Sequence, residues 1–197
     1  MKKWLIPVII IGVIAFAMYR MGVGFYNTAV DLEQDSKTAW SNVESAYQRR
    51  ADLIPNLVST VKGYAAHEKE TLEGVIKARA AATQTTIDPT NITPEKMAAF
   101  QKAQQGLSGA LSRLLVTVEK YPELKANQNF LELQSQLEGT ENRINVERNR
   151  FNTTVNAFAK HIKKFPNNIL NGFIGNFKEM GRFEASAGSD VAPKVEF

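Results

Sequence analysis

Sixteen consecutive residues close to the N-terminus, Trp4 to Tyr19 (WLIPVIIIGVIAFAMY), carry no charge. As an α-helix this run covers roughly 24 Å, short of a hydrocarbon core of about 30 Å. If the helix continues through Arg20 to Tyr26, with the Arg20 stem snorkelling to the interface, the span grows to about 34 Å and the deficit disappears. Trp4, Tyr19 and Tyr26 then fall where interfacial aromatics belong. A cleaved signal peptide is the rival reading, with Lys2-Lys3 as its basic start, Leu5 to Ile14 as its apolar stretch and Ala15-Phe16-Ala17 as the cleavage site. The apolar run continues past that site and joins a helical pattern directly, which favours an uncleaved transmembrane anchor over residues 1–26. Lys2, Lys3 and the α-amino group precede the span, while only Arg20 and Lys37 follow it closely. The positive-inside rule then places the N-terminus in the cytoplasm and the body of a single-pass protein on the exported side.

The anchor also accounts for most of the charge. The chain holds 24 Lys and Arg against 20 Asp and Glu, a net +4 over 197 residues. Lys2, Lys3 and Arg20 lie in the first 26 residues with no acid beside them, so the remainder is only +1. A nucleic-acid-binding domain needs a basic patch that neutralises several phosphates, and after residue 26 only short pairs such as Arg49-Arg50 and Lys163-Lys164 occur. No nucleic-acid partner is expected. With no Cys in the chain, disulfides, thiolate metal sites and Cys nucleophiles are excluded, and His67 and His161 are the only imidazoles.

From Tyr26 onward apolar residues recur every three and four positions, the period of helices packed along a seam. Trp40, Val43, Tyr47, Ile54, Leu57, Val61 and Tyr64 keep this register, with Arg50 in the one missing position. The register passes Pro55 without a slip, so the spacing predicts one kinked helix from about Tyr26 to Ala82, with a turn at Arg50 to Asp52 as the alternative. Thr83 to Thr93 reads as a linker. Thr93-Pro94-Glu95 opens the next helix with a cap, a Pro at the first position and an acid in the first turn. Its seam is Met97, Phe100, Gln104, Leu107, Leu111, Leu114, Val118 and Tyr121, and Tyr121-Pro122 ends it. A third long helix carries Phe130, Leu133, Leu137, Thr140, Ile144, Phe151, Val155, Phe158, Ile162 and Phe165, and ends at Phe165-Pro166. The fold class is therefore all-α: a transmembrane helix continuing into an elongated antiparallel bundle of three to four long helices over residues 27–166.

Residues 167–185 differ in kind. Ile169, Phe173, Phe177, Met180 and Phe183 mark one face of an amphipathic helix that Gly172, Gly175 and Gly181 weaken. This segment either covers the end of the bundle, the reading preferred because basic residues are few, or lies on a lipid surface or a partner as an interfacial face. Residues 186–197 read as a flexible tail.

Several strings in this order resemble one family. Tyr26-Asn27 with Val30, Ala39-Trp40-Ser41 and Arg49-Arg50-Ala51-Asp52-Leu53-Ile54-Pro55-Asn56-Leu57-Val58 are followed by His67-Glu68, Ala78-Arg79 and Glu119-Lys120-Tyr121-Pro122-Glu123-Leu124-Lys125. Leu137-Glu138-Gly139-Thr140-Glu141-Asn142-Arg143-Ile144, Arg148, Asn152 and Phe165-Pro166 complete the set. Together they resemble the LemA family of bacterial membrane-anchored helical proteins, over about residues 4 to 185. The resemblance implies an N-terminal membrane anchor and an α-helical domain, hence the bacterial cytoplasmic membrane. It implies no enzyme activity, because the family's molecular function is not established.

The reactive motifs are incomplete. His67-Glu68 lacks the second His four residues on that a zinc hydrolase helix needs, Thr71 standing there. Ser59-Thr60-Val61-Lys62 fits S-x-x-K, but no companion motif or α/β scaffold accompanies it. No cofactor and no metal are expected. More informative is a polar stripe in the third helix, Glu141, Asn145, Arg148, Asn152 and Asn156. It either faces solvent, or meets Arg50, Asp52, Asn56 and Glu119 as a buried network that fixes helix register, or contacts a partner. The functional expectation is a non-enzymatic membrane-tethered scaffold or adaptor, self-associating through its long helices or holding a protein partner. An envelope enzyme or enzyme regulator using His67, Glu68 or the Arg49/Arg50/Asp52 cluster is the alternative, and a lipid-binding module using the Phe-rich segment a third.

Overall fold

The computed structural model describes residues 4–184; the expectations for Lys2, Lys3 and the 186–197 tail lie outside the described residues. Helix α1 runs unbroken from Leu5 to Tyr64, 60 residues, and contains both the apolar run and the first seam. It crosses Pro55 without interruption. Because Pro55 has no N–H, the carbonyl of Ala51 one turn back loses its helical partner. Arg79 from the next helix supplies one, its Nε donating to Ala51 O at 2.7 Å.

The single kinked helix expected from Tyr26 to Ala82 is not what forms, and neither is a turn at Arg50 to Asp52. α1 stops at Tyr64, a joint spans residues 65–68, and α2 (Lys69–Gln84) folds back along α1. Ala65 leaves the helical region (φ −126°, ψ 51°) while its N–H still bonds Val61 O at 2.8 Å. The register hid the break because α2 presents Leu72, Val75 and Ala82 to the same core that α1 lines with Ile54, Leu57 and Val61.

In the connection after α2, Ile87 and Ile92 are buried, and Asp88 closes a turn by accepting hydrogen bonds from Thr90 N (2.8 Å) and Oγ1 (2.7 Å). Those bonds hold the Asp88 carboxyl below its ordinary pKa. α3 (Pro94–Val118) starts at Thr93, whose hydroxyl accepts from Lys96 N at 3.3 Å. A short α4 (Pro122–Lys125) turns the chain. α5 (Gln128–Lys163, 36 residues) opens on Asn127, whose side chain accepts from Phe130 N at 3.1 Å, and ends with Lys160, His161 and Lys163 against the negative end of the helix dipole. Cross-helix contacts set α5 antiparallel to α1: Arg50 meets Glu141, and Phe25 stacks on His161. No strand occurs among the described residues.

Three apolar clusters succeed one another along the bundle. The one around Val61, Val75, Leu114, Leu124 and Phe130 lies farthest from the apolar N-terminal stretch. The middle one is aromatic: Trp40 packs on Phe100 (5.2 Å between centroids), Phe151 (5.4 Å) and Phe183 (6.1 Å). The third joins Phe25 and Ala29 of α1 to Phe158 and Ile162 of α5. Phe165, expected to finish the α5 seam, is instead exposed, and its bond to Pro166 is cis.

The amphipathic helix expected across residues 168–185 is also replaced. Only α6 (Asn167–Leu170) and a π-helical turn, Asn171–Gly175, form; Asn176 then takes a left-handed conformation (φ 51°) that ends helical winding. Residues 177–184 continue as a non-helical strap lying against α3 and α5. Gly181 is required there: a Cβ would stand 2.6 Å from Thr93 O, and Gly181 N donates to Ile92 O at 2.8 Å.

Candidate functional site

Two polar constellations emerge from this packing. The first surrounds Arg50, which is 1% exposed and fills the gap in the α1 seam. Its Nη1 donates to Glu141 Oε1 (2.5 Å) on α5 and to Ser108 Oγ (3.0 Å) on α3. Its Nη2 donates to Gln104 Oε1 (2.6 Å), and Gln104 Nε2 reaches on to Ala82 O (3.2 Å) at the end of α2. The guanidinium also lies 5.0 Å from the centre of the Tyr47 ring. One arginine thus ties all four long helices of the bundle together. Gln104, the single polar member of the α3 seam, proves to be its partner.

Asp52, Asn56 and Glu119 do not join this network. Asp52 is exposed and accepts from Gln48 on its own helix (2.8 Å); Glu119 pairs locally with Lys125; Asn56 is exposed. A second buried charge went unnoticed in the sequence. Glu147 fills the gap between Ile144 and Phe151 in the α5 seam as Arg50 does in α1. It is 4% exposed, accepts from Arg143 Nε at 2.8 Å through Oε1, and leaves Oε2 without a partner.

The second constellation is the dock for the strap, and the rest of the polar stripe builds it. Asn152 accepts from Phe183 N and donates to Phe183 O, both at 2.9 Å, as a neighbouring strand would. From the other side Gln101 on α3 does the same for Glu184, donating to its O (2.9 Å) and accepting from its N (3.4 Å). Asn156 accepts from Arg182 (2.9 Å), and the Arg148 guanidinium sits 4.6 Å from the Phe183 ring centre. Asn145 stays exposed. The stripe therefore holds the chain's own C-terminal segment, an outcome that helical spacing alone does not announce.

The residues proposed as one interfacial face are divided by the structure. Phe183 is buried with Trp40, while Phe177 and Met180 pack inward against the third cluster; Ile169 and Phe173 face outward. Beyond the strap, Ser108, Leu111 and Leu115 on α3 and Leu137 and Glu141 on α5 line a groove of about 500 Å³. A smaller cleft of about 90 Å³ lies between α1, the end of α2 and α3, lined in part by Glu44, Tyr47 and Gln104. Burial pushes the Glu44 carboxyl above its ordinary pKa, against a smaller effect of the Trp40 indole, and raises the Tyr47 phenol too.

The groups named for chemistry do not converge. His67 is exposed in the α1–α2 joint, and Glu68 beside it accepts from Tyr121 OH at 3.1 Å. Arg49 and Asp52 are exposed while Arg50 is buried behind them. Among the described residues no three His, Asp or Glu side chains come together as a metal site. At the N-terminus, Trp4 to Tyr19 are exposed throughout, and among the described residues α1 is the one helix long and apolar enough to cross a membrane.

Comparison with known proteins places the sequence among relatives. The model of the LemA family matches residues 39–197. Magnetosome protein MamQ 2 of Paramagnetospirillum magneticum is 28% identical over 185 residues, covering 84% of this chain and 67% of that protein. Magnetosome protein MamQ of Magnetospirillum gryphiswaldense is 26% identical over 190 residues, covering 86% and 70%. Protein LemA of Metamycoplasma hominis is 25% identical over 153 residues, covering 77% and 66%. With four-fifths of its length inside the family match, from Ala39 in α1 through the strap, the chain belongs to the LemA family.

Proposed function

We propose that the protein is a non-enzymatic scaffold tethered to the bacterial cytoplasmic membrane, with its N-terminus in the cytoplasm and its bundle on the exported side. The observation that carries this reading is α1 itself. Its first turns are apolar and wholly exposed, as a lipid-embedded stretch must be, and the same helix then forms the wall on which α2 and α5 pack. A rigid helix leaving the bilayer fixes the height and direction of everything built upon it.

The side chains best suited to chemistry support a structural role. Arg50 spends its Nη donors on Gln104, Ser108 and Glu141, so removing it would loosen helices rather than disarm a pocket. The relatives' names state no reaction. The anchor stands on the apolar stretch, and the orientation on Lys2 and Lys3 preceding it. Cross-linking in intact membranes tests the scaffold reading. Discrete homo-oligomers or one constant co-purifying protein are expected, whereas monomers alone with no partner would refute it.

A further inference from the structure

We propose that the α6–π-turn segment is a second membrane contact, a foot that lies in the headgroup–acyl boundary beside α1 through Ile169, Phe173 and Ile174. This rests on reading α1 from Leu5 to about Tyr26 as bilayer-spanning, and the experiment below separates the two.

Position comes first. Ile174 packs on α1 so closely that a Cβ added at Gly22 would lie 3.4 Å from its Cδ1. Gly22 stands three residues beyond Tyr19, roughly 4.5 Å along the helix axis, whereas each interfacial layer is about 5–8 Å deep. A helix that needs about 30 Å from Trp4 leaves the hydrocarbon near residue 24, so a segment fastened at Gly22 sits at the headgroup–acyl boundary.

The fastening is firm. Phe177 meets Tyr26 at 5.7 Å, Phe25 at 6.3 Å and Phe158 at 6.0 Å between centroids. The His161 ring stacks on Phe25 at 5.3 Å, with Nε2 at 3.1 Å from Phe25 O. Nε2 donates in that contact, which leaves Nδ1 free to accept from Asn167 Nδ2 (3.3 Å) at the start of α6.

The segment also has more apolar surface than capping a bundle requires. Leu170 and Phe177 turn inward, yet Phe173 is 85% exposed, Ile174 50% and Ile169 48%, with Phe165 exposed just before them. Elsewhere in the bundle body the large exposed apolar residues, such as Ile76, Val116 and Val146, stand singly, as on any soluble surface. Here they gather within ten residues and adjoin Met21, Val23 and Tyr26 of α1, themselves exposed. The foot itself, residues 167–176, carries no charge, and Lys164 just before it and Lys178 just after it place positive charge at its two ends, while Lys163 is paired with Glu179. A lipid surface is the occupant that position, apolar content and charge share.

Because the chain has no Cys, single labels are unambiguous. The full chain is prepared as F16C, F173C and V116C, each carrying an environment-sensitive fluorophore. These proteins are reconstituted in phosphatidylcholine–phosphatidylglycerol vesicles containing lipids with a doxyl quencher either near the headgroup or near the chain end. The label at residue 173 is expected to be quenched more by the shallow doxyl than by the deep one, residue 16 more by the deep one, and residue 116 by neither. Quenching at 16 without quenching at 173 overturns the foot and leaves the anchor standing. A label at 173 shielded only by cross-linkable contact with a second copy also overturns it. Loss of quenching at 16 refutes the anchor reading and the foot with it.

Discussion

Pro55 and Arg79 lie 24 positions apart, and the structure makes one depend on the other. Pro55 removes the N–H that would bond Ala51 O, and Arg79 Nε supplies a charge-assisted replacement at 2.7 Å on a residue only 3% exposed. Arg79→Ala leaves that carbonyl buried and unpaired, a cost of about 1–3 kcal/mol. In a Pro55→Ala background residue 55 regains its N–H, the carbonyl has a helical partner, and the same Arg79→Ala should cost about 1–2 kcal/mol less. Loss of the Arg79 stem packing is common to both backgrounds and cancels in the cycle. The assay is thermal unfolding of the four full-length proteins in detergent micelles, followed by circular dichroism. For a chain of this size about 1 kcal/mol corresponds to roughly 2–4 °C in Tm, so the coupling is measurable. If Arg79→Ala lowers Tm equally with and without Pro55, the carbonyl is not what Arg79 serves, and the explanation of an uninterrupted α1 fails.

Three further outcomes follow from the same contacts. Glu141→Ala removes the carboxylate from a guanidinium that stays buried; since Glu141 itself is partly solvated, the cost should be about 1–3 kcal/mol, and an unchanged Tm would sink the network. Burial holds the folded Glu44 pKa above its ordinary 4.5, so the folded state binds that proton more tightly than the unfolded chain. Its contribution is present in acid and lost as pH rises through the folded value; Glu44→Gln should therefore outlast wild type at neutral pH, with the gap closing below about pH 4.5, in urea melts at both pH values. Gly181→Ala must push its new methyl group into the Thr93 carbonyl, and should free the strap, read as faster hydrogen exchange at the Phe183 and Glu184 amides while α2 is unaffected.

The long helices were legible because apolar spacing reports which face is buried, and the caps at Thr93 and Asn127 obey local chemistry. Where α2 leaves α1 was not legible: a helix that folds back on the same core keeps the same periodicity as one that continues. Arg50 and Gln104 could be seen as polar intruders in two seams, but only the packing shows that they meet. Glu147 gave the same signal, a single skipped position, and could have been found by the reasoning applied to Arg50. The strap was illegible for another reason. Its hold comes from side-chain amides of Asn152 and Gln101 bonding main-chain groups more than 30 residues away in sequence, which no pattern within the segment encodes. What looked like one amphipathic face was an inward set and an outward set separated by the left-handed turn at Asn176.

The central claim is that α1 carries the bundle rigidly out of the membrane as one helix. Pulsed electron paramagnetic resonance on the full chain in lipid vesicles, with spin labels at F16C and S41C, tests it most directly. The two sites are 25 positions apart, one in the apolar stretch and one on the exposed face within the bundle. An unbroken helix predicts one narrow distance distribution centred near about 38 Å. A broad distribution, or a centre below roughly 30 Å, would mean that the chain bends or melts between anchor and bundle, and would contradict the account.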